Sequence, residues 1–222
     1  MREIVLDTET TGLTPKTGHR VVEIGCVELV NLVPTGEVYH VYINPERDMP
    51  EEAFNVHGLS ASYLSKQPKF EEIVEGFLDF VQGDQLIIHN ADFDMGFLNA
   101  ELKRLNRAEL GNKPVDTVRM ARQKFPGAHA NLDALCRRFG IDNSAREKHG
   151  ALLDAELLAE VYLELTGGRQ PGLLLSGEKA ETEEVVQAEK VERQARTHAA
   201  SATELEAHAE FLKNIDEPIW SR

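Results

Sequence analysis

Cysteine is nearly absent from the 222-residue chain: there are two, Cys26 and Cys136, each inside an apolar segment. Two isolated cysteines build neither a disulfide framework nor a thiolate zinc site. They read as small core residues of a chain kept in a reducing compartment, the cytoplasm. No apolar run approaches the ~20 residues of a membrane span, and the first residues carry no signal-peptide pattern, so no membrane partner is expected. Positive charge is also short, with 24 Lys and Arg against 38 Asp and Glu and a net charge of −14, which argues against a broad nucleic-acid surface. The shortfall is uneven. Residues 103–148 hold eleven of the 24 basic residues against five acidic ones, so a nucleic-acid contact, if present, should be short and local.

What is present begins with Arg2-Glu3-Ile4-Val5-Leu6-Asp7-Thr8-Glu9-Thr10-Thr11-Gly12, an apolar run ending in two carboxylates one residue apart. Side chains at i and i+2 of a strand share a face, so Asp7 and Glu9 stand side by side beyond the buried Ile4 and Leu6. Such a pair repels itself unless a cation lies between them; the alternative is a solvated strand end running into a loop. Two further β-branched and aromatic segments, Arg20 to Val30 and Gly36 to Asn44, predict strands joined by a hairpin around Asn31 to Thr35. Residues 45–68 read as irregular apart from a short helix over Glu51 to Val56. Phe70, Ile73, Val74, Phe77, Leu78 and Val81 recur at helical spacing. A short strand at Leu86 to Ile88, a helix from Asp92 to Leu105 and a brief strand at Val115-Asp116 follow. Helices are expected near 117–124, 131–139 and 150–165. Three strands followed by alternating helix and strand predict an α/β fold, a ribonuclease-H-like mixed five-stranded sheet flanked by helices.

Two later stretches offer partners to the first carboxylates. In His89-Asn90-Ala91-Asp92-Phe93-Asp94, Asp94 falls in the first turn of a helix, where dipole compensation alone also favours an acid. In His149-Gly150-Ala151-Leu152-Leu153-Asp154, Asp154 lies on the stripe of Leu158, Val161 and Leu165, while Glu156, Glu160 and Glu164 face water. A carboxylate on a buried stripe is costly unless paired or metal-bound. His149 lies five residues earlier, about 140° away on a regular helix, so it shares a site with Asp154 only from the preceding loop. Four carboxylates and one imidazole suit two hard divalent ions, Mg²⁺ or Mn²⁺, rather than zinc. Two such ions roughly 4 Å apart promote phosphodiester hydrolysis, with a histidine placed as general base.

These three motifs, in this order and across residues 2–168, resemble the DEDD family of 3′-to-5′ exonucleases in its histidine subclass. The tyrosine subclass would place Tyr where Gly150 stands. The resemblance implies that Asp7, Glu9 and Asp154 bind metal, that Asp94 helps hold the second ion and that His149 is the base. It also implies that Glu52 and His57, with Asp7, Glu9 and Asp154, contact the terminal nucleotide. Asp92 departs from the pattern, which more often has a small residue there. Within the family the likeness is strongest to proofreading subunits of the bacterial replicative polymerase. That implies a DNA 3′ end as substrate, and as partners the polymerase catalytic (alpha) subunit, the sliding clamp and a small theta-like subunit. A stand-alone relative that trims RNA 3′ ends would use the same five residues but would not need a tail. A purely structural brace would not need the chemical residues.

The exonuclease domain is expected to end at residue 168, where Gly167-Gly168 and Pro171 stop the last helix. Residues 169–200, rich in Glu, Ala, Gln and Lys, predict a flexible linker. At its start, Gln170 to Leu175 resembles a clamp-binding peptide through Gln170, Leu173 and Leu175; the alternative is three leucines packed on the domain. From 201 to 222 a capping box at Thr203 and Glu206 and the repeat Leu205, Ala209, Leu212, with Phe211, Ile215 and Trp220, predict a helix. Leu205, Leu212 and Trp220 are candidates for polymerase contact; the alternative is an amphipathic tail packed on its own domain.

Overall fold

The computed structural model describes residues 1–144, 146, 148–168 and 200–214. Strands β1 (Arg2–Thr10), β2 (Val21–Val30), β3 (Val33–Tyr42), β4 (Gln85–Ile88) and β5 (Pro114–Asp116) form one sheet in the order β3-β2-β1-β4-β5. The β3-β2-β1 half is antiparallel, and β4 and β5 add parallel to β1. This is the mixed sheet expected from the order of elements.

Alternation along β1 divides the core. Ile4 and Leu6 face a layer made with Ile24, Cys26, Leu86 and Ile88 and with helices α3 (Phe70–Val81) and α4 (Ala91–Arg104). Val5 faces the other layer, with Val27, Leu29 and Ile87 and helices α5 (Thr117–Lys124), α6 (Leu132–Phe139) and α7 (Ala151–Thr166). By the same parity Asp7 and Glu9 continue the Val5 face, the face of α7, rather than that of Ile4 and Leu6. Cys26 and Cys136 are buried free thiols, one in each layer.

Several local features differ from the sequence expectation. The hairpin turns on Asn31 and Leu32 alone, both at positive φ (53° and 68°), so β3 starts at Val33 and takes in Pro34. Proline is tolerated there because β3 is an edge strand and a missing N–H costs no ladder bond. The stretch 45–68 holds two helices, α1 (Glu51–His57) and α2 (Ala61–Leu64). Helix α2 is a single turn capped by the Ser60 hydroxyl, too short to show apolar periodicity. Pro15–Thr17 form a 3₁₀ turn.

The second described unit is helix α8 (Ala202–Leu212). Its capping box is Ser201 with Glu204, two residues earlier than the expected Thr203 and Glu206: the Ser201 N–H donates to Glu204 (2.8 Å), and the Ser201 hydroxyl accepts from the Glu204 N–H. The earlier serine adds two residues to the helix while still satisfying the first N–H groups. Leu205 and Phe211 are exposed and Leu212 is half-buried. The expected linker, the Gln170–Leu175 peptide and Trp220 lie outside the described residues. No helix among the described residues is long and apolar enough to cross a membrane.

Candidate active site

The site forms where β1 outruns β4, whose pairing with it ends at Leu6. Glu9 lies opposite Glu23 on β2, and the register shifts immediately after it. Such an irregularity re-aims the strand end. Asp7 lies opposite Gly25, and a Cβ built on Gly25 would fall 2.3 Å from the Ala151 carbonyl carbon and the Leu152 nitrogen. The first turn of α7 thus rests on bare backbone. One turn along, Asp154 projects over Asp7 and Glu9 and is 4% exposed. As expected, His149 is in the loop before α7, with Gly150 at the N-cap. Donor atoms of Glu9, His149 and Asp154 lie within 4.8 Å of one another.

Asp94 arrives from the opposite layer. It is buried in the first turn of α4, and the Thr8 hydroxyl, on the other face of β1 from Asp7 and Glu9, donates to its Oδ1 (2.7 Å). All five candidate residues, Asp7, Glu9, Asp94, His149 and Asp154, line one cavity of about 430 Å³. A neighbouring cavity of about 620 Å³ is lined by Thr8 to Thr14, His19, Glu52, Val56 and His57, and Thr8, Glu9 and Phe93 line both. Glu52 and His57 therefore stand on the adjoining wall rather than among the carboxylates. The Leu59 N–H donates to His57 Nδ1 (3.0 Å), so the imidazole proton sits on Nε2, which is buried without a partner among the described residues. Burial holds His57 below the usual histidine range. Asp92 points out to solvent and meets Arg119 (3.2 Å), so this departure from the family pattern leaves the site untouched.

Charge in the cluster is unbalanced. Burial first, then Asp94, Glu9 and Asp154, push Asp7 well above the usual carboxylate range. Burial, Asp154 and Glu23 push Glu9 up to about 8, and burial pushes Asp94 up to about 7. Asp154 alone goes down: burial opposes its charge, but the Arg146 guanidinium outweighs it. Arg146 was visible in the sequence only as one of the basic residues of 103–148. Its guanidinium Nε and Nη2 donate to the two oxygens of Asp154 (2.5 and 2.6 Å), Nη1 to Asp133 (2.8 Å) and Nη2 also to His149 Nδ1 (2.7 Å). Much of the rest of that basic segment is engaged within the protein. Lys124 donates to the carbonyls of Glu164 and Leu165, Lys148 to that of Asn55, and Arg104 and Arg107 pair with Glu101 and Glu75.

Oxygen donors in excess, buried carboxyls that resist ionisation without a cation beside them, and a cation already drawn onto Asp154 are what suits a hard divalent ion. The residues fit such ions.

The Exonuclease family model matches residues 4–162, and the chain belongs to this family. Relatives narrow its position: it is 51% identical to DNA polymerase III subunit epsilon of Rickettsia felis over 97% of both chains. It is 43% identical to that of Haemophilus influenzae over 97% of this chain and 91% of the relative. In fold it is similar to the nuclease domain of 3′hExo, a DEDDh family member bound to rAMP (TM-score 0.65, 17% identity, 74% of this chain and 91% of that one). It is likewise similar to exonuclease X in complex with 5′-overhanging duplex DNA (TM-score 0.59, 20% identity, 74% and 90%).

Proposed function

We propose that the chain is the proofreading 3′-to-5′ exonuclease subunit of a bacterial replicative DNA polymerase, removing mispaired 3′-terminal nucleotides by two-metal phosphodiester hydrolysis. The observation that carries the reading is the convergence of Asp7, Glu9, Asp94, Asp154 and His149 from both layers onto one cavity. Asp7, Glu9 and Asp154 would hold Mg²⁺ or Mn²⁺, and Asp94, fixed by Thr8, would help with the second ion. Bound ions would supply Lewis-acid stabilisation of phosphoryl charge and make water a nucleophile at neutral pH. The His149 imidazole accepts the proton from the attacking water. In the adjoining cavity, Glu52 and the unpartnered Nε2–H of His57 contact the terminal nucleotide, and Phe93 divides base from phosphate.

The relatives named as epsilon subunits match over nearly the whole chain, tail included, which favours membership of a polymerase assembly over a stand-alone RNA-trimming enzyme. On this reading the partners are the polymerase catalytic (alpha) subunit through Leu205, Leu212 and Trp220, and the sliding clamp through Gln170, Leu173 and Leu175. A small theta-like subunit would join them, with the assembly in the cytoplasm. Incubating the purified chain with 5′-labelled DNA carrying a paired or mispaired 3′ end tests the core of it. Stepwise shortening from the 3′ end, faster at the mispair and abolished by EDTA, is expected. Turnover in excess chelator, or degradation of RNA alone, would overturn it.

A further inference from the structure

Among the site residues Arg146 stands out as a cation of the protein's own. Its side chain is 8% exposed, and its donors go to Asp154, Asp133 and His149, three groups of the reacting cavity. Both carboxylate oxygens of Asp154, the atoms through which it would hold a metal, accept from Arg146 at 2.5 and 2.6 Å. A fork of planar N–H groups is the side-chain geometry best matched to a carboxylate. A divalent ion would draw on the same two oxygens, so the two cations compete for them.

The guanidinium also disables the base. While Nη2 donates to Nδ1 of His149, the proton of the neutral imidazole is on Nε2. Neither nitrogen then has a free lone pair for a proton from water. With Arg146 in place, Asp154 and His149 are held in position and kept out of use by one side chain.

We propose that Arg146 is a positioning residue that stands in for the metal at Asp154 and occupies the basic nitrogen of His149, and that metal binding must displace it before the site can act. The inference rests on the metal-dependent reading above and adds a competitor to it. Displacement is feasible from where Arg146 sits, in the loop between α6 and α7 rather than on a helix, with Asp133 at the start of α6 to receive it. The consequence runs against intuition: removing a residue that touches the metal ligands should tighten metal binding. Loss of the guanidinium frees both oxygens and removes a like charge beside the incoming ion, whereas a merely structural role predicts a looser site.

The full chain, Arg146→Gln and Arg146→Lys are titrated with Mn²⁺ alone by calorimetry, and the melting temperature is followed with and without Mn²⁺. Arg146→Gln is expected to bind Mn²⁺ about tenfold more tightly than wild type. Without metal it should melt lower, and with saturating Mn²⁺ the gap should close. Lysine keeps the charge but cannot bridge both oxygens, so Arg146→Lys should fall between the two. It keeps the comparison available if the glutamine variant is too unstable without metal. Affinity equal to or weaker than wild type in the variants overturns the inference while leaving the metal reading intact. A wild-type chain that takes up no Mn²⁺ overturns the metal reading, and this inference with it.

Discussion

Gly25 and Ala151 meet backbone to backbone: the space a Cβ on Gly25 would need is already filled by the Ala151 carbonyl. The contact sets the height of α7 above the sheet, and so the reach of Asp154 toward Asp7 and Glu9. Gly25→Ala is therefore expected to cost more than the usual overpacking penalty of about 1–3 kcal/mol, because backbone rather than a side-chain tip must move. Chemical denaturation of the metal-free chain gives the first readout and Mn²⁺ affinity the second. A variant as stable as wild type with unchanged affinity would show that α7 is not seated by this glycine.

Two ligand substitutions should have opposite effects on stability. Asp7 is disfavoured as an anion by burial and by crowding from like charge, so Asp7→Asn should leave the metal-free melting temperature unchanged or raise it. Asp154 is the partner of a nearly buried arginine, and Asp154→Asn leaves that charge with Asp133 as its remaining carboxylate, a loss on the order of 1–3 kcal/mol for the donors left short of a partner. Both should abolish hydrolysis. Equal shifts in melting temperature would mean that Arg146 does not pair with Asp154 in solution.

The metal-free chain should lose stability as the medium turns alkaline. Folding raises Glu9 from an ordinary 4.5 to about 8 and Asp94 from 3.8 to about 7. Each therefore contributes stability as the protonated form, in full below its unfolded pKa and lost as pH rises through the folded value. The depressed Asp154 acts in the other sense, but only toward acid, below its unfolded value. His57 and His89, both depressed, add stability on passing their unfolded value near 6.5 and nothing further above it. Between about pH 6.5 and 8 the melting temperature in EDTA should thus fall, and Glu9→Gln should flatten the slope. A rise over that interval in wild type would contradict the charge state drawn for the cluster.

His149→Ala leaves the carboxylates in place and removes only the proton acceptor. Single-turnover cleavage should drop on the order of 10²- to 10⁴-fold with Mn²⁺ affinity largely kept. A drop of less than tenfold would assign the base to another group.

The tail should separate by function. Gln170→Ala with Leu173→Ala should weaken clamp binding and spare polymerase binding, and deletion of residues 201–222 should do the reverse. Two modest contacts carried on one chain reinforce one another, so each loss alone should be partial in the full assembly. Both variants should degrade free single-stranded DNA at the wild-type rate; a large loss of that activity would tie the tail to the catalytic fold.

The succession of strands along the chain, the helices from Phe70 onward and the grouping of the five candidate residues in one cavity were legible from alternation, helical spacing, an acid on an apolar stripe and motifs shared with the DEDD exonucleases. What escaped depends on relations between distant segments. Nothing near Gly25 announces that α7 will lie on it, 126 residues away. Thr8 reads as filler between two acids until α4 brings Asp94 to its hydroxyl. Arg146 was counted with the surface charges, since a basic residue in a polar loop carries no local mark of burial. Helix α2 escaped for a different reason: one capped turn is shorter than a helical period pattern.

The alternation of β1 also bears on how the protein comes to be safe to make. Glu9 and Asp7 depend on the α7 layer for Asp154 and His149, while Asp94 belongs to the α4 layer and is tied to the sheet through Thr8. A chain with one layer packed and the other loose lacks part of the ligand set, and so is expected to be unable to cut. During refolding, nuclease activity should therefore trail the recovery of helix signal and never precede it. A newly made molecule would stay harmless to nucleic acids until both sides of its sheet are closed.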